Sequence, residues 1–191
     1  MGYKTNPSLP ILDVPRDKRS LDDVVDRILG MYCLGACAYG FPPDKAYVWL
    51  ENQSKESFLT SAEKNFLENG TGKTVQFMNQ IEGLFALTWS VSLVGNLDFK
   101  ELCPDDFVHI FPDLKSNESA QQLRLDAELR PEIEMLQACD LSYCLHWAIR
   151  DSAIRGMKHE SDVPAYVIVE RRRALEWLVY GGAWDEISLD T

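Results

Sequence analysis

No stretch of the chain reaches the roughly 18 consecutive apolar residues that span a bilayer, so nothing in it reads as a membrane helix. Basic residues are scarce: 19 Lys and Arg stand against 30 Asp and Glu, a net charge of −11. That balance excludes a surface built to wrap a phosphate backbone, because nucleic-acid affinity comes chiefly from cations neutralising phosphates. Sustained strict alternation of apolar and polar residues is missing, which argues against strands, and no repeat or low-complexity segment occurs. Cysteines number five, an odd count with no CxxC pair. The residues before Asp13 hold no apolar run of the kind a secretory signal needs, so a reducing cytoplasm is the expected compartment. The Asn-X-Ser/Thr sites at Asn52, Asn69 and Asn117 have no role there.

What the 191 residues do contain is enough apolar material, 46%, for one proper core. Residues 1–19 carry Pro7, Pro10, Pro15 and a charged run from Arg16 to Arg19, and read as an extended arm ahead of a single helical domain over 20–191. Ser20 is the expected N-cap of a first helix, with Asp22 and Asp23 at the positive end of its dipole and Leu21, Val24, Val25, Ile28, Leu29 and Tyr32 at helical spacing. A short helix is expected over 44–51. Thr60 and Glu63 then form a capping box, and Gly70 is placed to close the helix they open.

The spacing predicts one apolar helix over 73–94, interrupted in character only by Glu82. A long acidic loop follows at about 96–116, with Pro104, Pro112 and Asp98, Glu101, Asp105, Asp106 and Asp113. Helices resume at Asn117 or Ser119, and Pro131 starts another at an N1-like position that Gly156 ends. Apolar residues surround this 131–156 helix, which predicts burial, yet it carries Asp140, His146, Arg150 and Asp151. The last helix, about 164–180, places Arg171 inside an apolar stripe with Glu170 at its margin, and Arg172 and Glu176 pair outside at i, i+4. Trp184 and Ile187 should fold back onto the domain. The expected fold is all-α, with two or three nearly fully buried central helices.

Three motifs invite chemistry. Gly70-Thr71-Gly72-Lys73-Thr74 ends like a phosphate-binding loop, but the pattern needs a glycine where Leu67 stands and a preceding strand where a helix is expected. The cysteines lack metal-ligand spacing, Cys144 and His146 project from opposite sides of one helix, and core packing accounts for them, so neither metal nor cofactor is expected. A third group is heavier: Glu82, Asp140, His146, Arg150, Asp151, Glu170 and Arg171 come from the most apolar helices. A charge in a core must be paired, and arginine suits that role through its planar fork. These residues are expected to meet as a polar network with Tyr143, Trp147 and Trp177 beside it. The network either fixes helix register or floors a ligand pocket.

The expected function is a non-catalytic cytoplasmic binding or regulatory protein with an acidic surface; that acidity suits solubility first, and one specific version of the reading has it neutralise a basic protein partner. The alternative is a small-molecule hydrolase or ligand-binding protein, with His146 as general base, Asp151 as its carboxylate, and Arg150 or Arg171 holding an anionic substrate. A monomer and a homodimer are both open.

Several residues also carry a likeness. Leu129 and Arg130, the run from Asp140 to Asp151 with its Leu145-His146-Trp147-Ala148 centre, then Glu170, Arg171, Arg173, Ala174, Leu175 and Trp177, and finally Trp184, Asp185, Asp190 and Thr191 resemble a bacterial family, domain of unknown function 4272. Glu82, Ala86, Leu87 and Trp89 match more loosely, since the family often has Trp and Arg shortly before that Glu, where this chain has Asn79 and Gln80. The resemblance covers most of 20–191. It implies a shared fold and supplies no activity, substrate or cofactor.

Overall fold

The computed structural model describes residues 6–9, 19–54, 59–70, 72, 74–157 and 162–191. Most of the arm expected over 1–19 lies outside them, as do Thr71 and Lys73. Among the described residues the structure is all-α. Its helices are α1 (Leu21–Ala38), α2 (Pro43–Gln53), α3 (Ser61–Asn69), α4 (Thr74–Asn79), α5 (Ile81–Ser90), α6 (Gln121–Asp126), α7 (Glu132–Ile154) and α8 (Ala165–Tyr180), with short 3-10 turns at Asp105–Ile110 and Trp184–Glu186. None of them is long and apolar enough to cross a membrane.

Local chemistry sets the helix ends. Ser20 and Asp23 exchange hydrogen bonds of 3.1 Å each in a capping box at α1. Thr60 and Glu63 do the same at α3, and Gly70 closes that helix at φ +66, a left-handed turn that costs glycine little. The glycine motif at 70–74 thus opens on the residue that closes α3 and ends on the first residue of α4, with Thr71 and Lys73 outside the described residues. Pro131 stands just before the first helical residue of α7, as its N-cap. The helix expected over 73–94 is two pieces: Gln80 sits between α4 and α5, and α5 stops at Ser90, where Ser92 turns the chain at φ +62. Arg130 caps that stop, donating to the carbonyls of Trp89, Val94 and Gly95 at 2.6, 2.8 and 3.1 Å.

α8 is the axis of the packing, with α5 along one side and α7 along another, while α1 backs α5 and carries α2 and α3. Every residue from Glu82 to Ser90 is buried, as is most of α1 and α8. Close approach of α5 to α8 depends on Gly83, where a Cβ would meet the Glu170 carbonyl at 3.1 Å and the Met31 Cε at 3.3 Å. The third central helix is therefore α1. The expectation that the 131–156 helix is buried all round is corrected: α7 buries Ala138, Cys139, Ser142, Leu145, His146 and Ala148 against α8, and leaves Ile133 60% and Ile154 81% exposed. Apolar residues around an axis do not bury a helix that has core on one side only.

The long segment between α5 and α6 is ordered. Phe99, Phe107, Phe111 and Leu114 are buried beneath it. Phe107 meets Phe85 edge-on at 5.0 Å, and Tyr32 stacks on Phe111 at 4.5 Å. Trp184 folds back as expected and meets Trp177 at 6.0 Å.

Candidate functional site

Three successive arginines on α8 point 100° apart and so reach three different neighbours. Arg171 faces α5. Its Nε and Nη2 donate to Glu82 Oε2 at 2.9 and 2.6 Å, and both side chains are essentially without solvent, 0% and 1% exposed. The remaining guanidinium donors go to the acidic loop: Nη1 to the Asp98 carbonyl at 2.6 Å and Nη2 to that of Glu101 at 2.9 Å. Glu82 Oε1 accepts the Cys103 N–H at 3.0 Å. The rings of Phe85 and Phe99 flank the cation at 5.2 and 5.8 Å. Burial, with the Glu82 charge adding, pushes the Cys103 thiol up to about 12, so it stays protonated. This pair is closed, and its outer valences hold loop backbone.

Arg172 faces α7 and the C-terminal segment. It donates from Nε to Glu176 Oε1 at 2.6 Å, from Nη1 to His146 Nδ1 at 2.7 Å, and to the carbonyls of Leu189 and Asp190 at 3.2 and 3.0 Å, with the Tyr143 ring 4.7 Å beneath it. The Arg172–Glu176 pair, expected outside, is inside: α8 has α7 over that face. Burial raises the Glu176 carboxyl despite its arginine. Burial, then the charges of Arg172 and Arg150, lower His146 to about 4. An imidazole that accepts from a guanidinium on Nδ1 is neutral, with its proton on Nε2.

Arg173 faces α3 and α4, and here the pairing is incomplete. Its Nε lies 3.7 Å from Glu170 Oε2, beyond a hydrogen bond. Across the gap, Glu63 forms a two-pronged pair with Arg27 of α1, 2.7 and 2.9 Å, while its Oε2 also accepts the Thr60 N–H at 2.9 Å. Burial pushes the Glu63 carboxyl up, but the charge and hydrogen bonds of Arg27 outweigh it and hold it below the ordinary range. The Trp184 ring covers the Arg27 guanidinium at 3.9 Å. Between these groups runs a cleft of about 520 Å³ lined by Thr60, Glu63, Gln80, Glu170, Arg173, Trp184 and Asp185 among others. A second depression of about 650 Å³ along α4 meets it at Gln76 and Glu170.

The expected constellation is thus divided. Glu82 and Arg171 form one cluster, Tyr143 and His146 join Arg172 in a second, and Glu170 belongs to the cleft. Arg150 is exposed, and Asp151 pairs at 2.9 Å with Arg155 on the outside of α7. Asp140 and Trp147 are half-buried on α7, and Trp177 is buried beneath Arg19 and beside Trp184. Sequence reasoning missed Arg27, Gln80, Arg172 and Arg173 as site residues and took Glu63 for a cap alone. The signal for Arg27 was present: with Asp26, it interrupts the apolar run from Val24 to Leu34. Asp26 is held by Arg124, which also donates to the Gln53 carbonyl at 2.8 Å.

Fold and site together define an all-α protein whose central helix distributes three arginines to a loop clamp, a tail clamp and a cleft. The chain belongs to the family described as Domain of unknown function (DUF4272), whose model matches residues 1–187. No curated protein and no solved structure matches it.

Proposed function

We propose that this is a non-catalytic binding protein of the cytoplasm that presents its acidic loop to a basic protein partner. The observation that carries the reading is the clamp beneath the loop: Arg171 and Glu82 hold its backbone at Asp98, Glu101 and Cys103 from inside the core. A recognition surface held in shape before binding avoids much of the ordering cost of association. On that frame Glu101, Asp105, Asp106 and Asp113 are exposed, interleaved with Leu102, Val108 and Ile110, of which Leu102 is 51% exposed. Exposed apolar side chains interleaved with carboxylates along the loop supply contact area, and the net charge of −11 supplies steering toward a cationic surface. Five free thiols fit a reducing compartment.

The hydrolase reading finds no comparable support. His146 is 6% exposed and accepts from Arg172, while Asp151, about 140° around the same helix, faces the outside and is engaged by Arg155. The test of the binding reading is affinity capture with the wild type and with a Glu101→Gln, Asp105→Asn, Asp106→Asn triple variant, at about 50 and about 500 mM salt. A partner of basic pI, bound at low salt and lost both at high salt and with the variant, is the expected result. Capture of a neutral or acidic partner that ignores salt and the triple substitution overturns it.

A further inference from the structure

We propose that the cleft between α3, Gln80, α8 and the Trp184–Glu186 turn binds a small ligand carrying an aliphatic ammonium or guanidinium group. The inference is independent of the acidic loop, and it starts from hydrogen bonds that are not made. Gln80 is 5% exposed, and its Oε1 has no donor among the described residues. Its amide orientation follows from its neighbour: Nε2 is directed at Glu63 Oε1, 3.4 Å away, and an ionised carboxylate only accepts. Glu170 Oε2 is another buried oxygen without a hydrogen bond among the described residues, and it and Gln80 both line the cleft. Buried acceptors are nearly always satisfied in native proteins, so two on one cleft point to donors that arrive from outside.

Charge selects the kind of donor. Glu63, Glu170 and Asp185 line the cleft, facing Arg27 behind Glu63 and Arg173 beside Glu170. Glu63 is satisfied by Arg27, whereas Arg173 stands 3.7 Å from Glu170 with its side chain 25% exposed, and Asp185 is exposed at the rim. Among the described residues the set is one cation short. A ligand N–H cation would complete it, displacing the long Arg173 contact and donating to both Glu170 Oε2 and Gln80 Oε1. Phe77 and the buried Trp184 supply an apolar wall for an alkyl chain, and the volume falls in the range of small-molecule sites.

The experiment titrates the full chain with n-butylguanidinium, n-butylammonium and, as the neutral isostere, n-butylurea, by calorimetry and ligand-observed NMR. The two cations are expected to saturate and the urea is not. Glu170→Gln and Gln80→Met, verified as folded by circular dichroism, should each weaken binding about tenfold, the scale of one hydrogen bond to a charged group. Arg173→Gln, a partly exposed change that removes the competing cation, should tighten binding, and it carries the test if Gln80→Met fails to fold. Absence of saturation by both cations, equal binding of the urea, or wild-type affinity in both Glu170→Gln and Gln80→Met overturns the proposal. Unchanged or weaker binding in Arg173→Gln does so as well.

Discussion

Two carboxylates beside α8 have opposite fates. Glu82 lies on α5 with its oxygens committed to Arg171 and the Cys103 N–H. Glu170, one residue from that arginine, keeps an oxygen without a hydrogen bond and faces a cleft. The helix turn separates them: successive side chains diverge by 100°, so Arg171 faces the α5 interface while its neighbours face elsewhere. The comparison teaches how to tell a structural ion pair from a candidate site. A closed pair consumes its valences on backbone and rigidifies what it touches. An open one leaves an oxygen without a donor among the described residues.

The sharpest way to break the comparison is Glu82→Ala. It strands Arg171 in the core, and a loss of about 3–5 kcal/mol is expected by urea denaturation, with new proteolytic cleavage between 96 and 116 as the loop loses its clamp. His146 gives the next effect. Its folded pKa of about 4 lies below the ordinary histidine value of 6.5, so the unfolded chain takes the proton first. Stability is complete above about pH 6.5 and falls as pH drops toward 4, on the order of 1–3 kcal/mol. His146→Asn keeps an acceptor for Arg172 without titrating and should flatten that slope in denaturation curves across the interval.

Glu170 should behave in the opposite sense from Glu82. Burial raises its carboxyl against the opposing charges of Arg173 and Arg27, so ionisation costs the folded state more than the unfolded one and stability declines as pH rises through and above the ordinary carboxylate range. Glu170→Gln is therefore expected to stabilise the protein at neutral pH by on the order of 1 kcal/mol, with the gain vanishing below pH about 4. A destabilised Glu170→Gln at pH 7 would mean that the oxygen is satisfied after all. The smallest effect is expected on the outer side of α7: Asp151→Asn removes an i, i+4 pair between a half-buried carboxylate and the exposed Arg155 and should cost less than about 0.5 kcal/mol.

Much of this was legible from residues alone where a few neighbours decide the outcome. The N-cap at Ser20, the capping box at Thr60 and the glycine stop at Gly70 depend on groups within three or four positions, and they formed as expected. The burial of Arg171 was legible too, because its neighbours on the helix face are all apolar. What misled was surface: Leu141 and Ile154 made α7 look central, and only the position of α7 at the edge of α8 exposes them. The kink at Gln80 was also missed, since no glycine or proline marks it, and with it the residue that brings an amide to the cleft.

By itself, then, the amino-acid sequence determined the all-α class, most helix boundaries, the acidic surface and the fact that charges would be buried, since each follows from spacing and local hydrogen bonding. Tertiary structure alone decided which charge meets which. Arg171 finds Glu82 across 89 positions, Arg27 finds Glu63 across 36, and Arg172 finds His146 across 26. Such pairings depend on how helices cross and which faces they bury, and no local pattern encodes a partner that far along the chain.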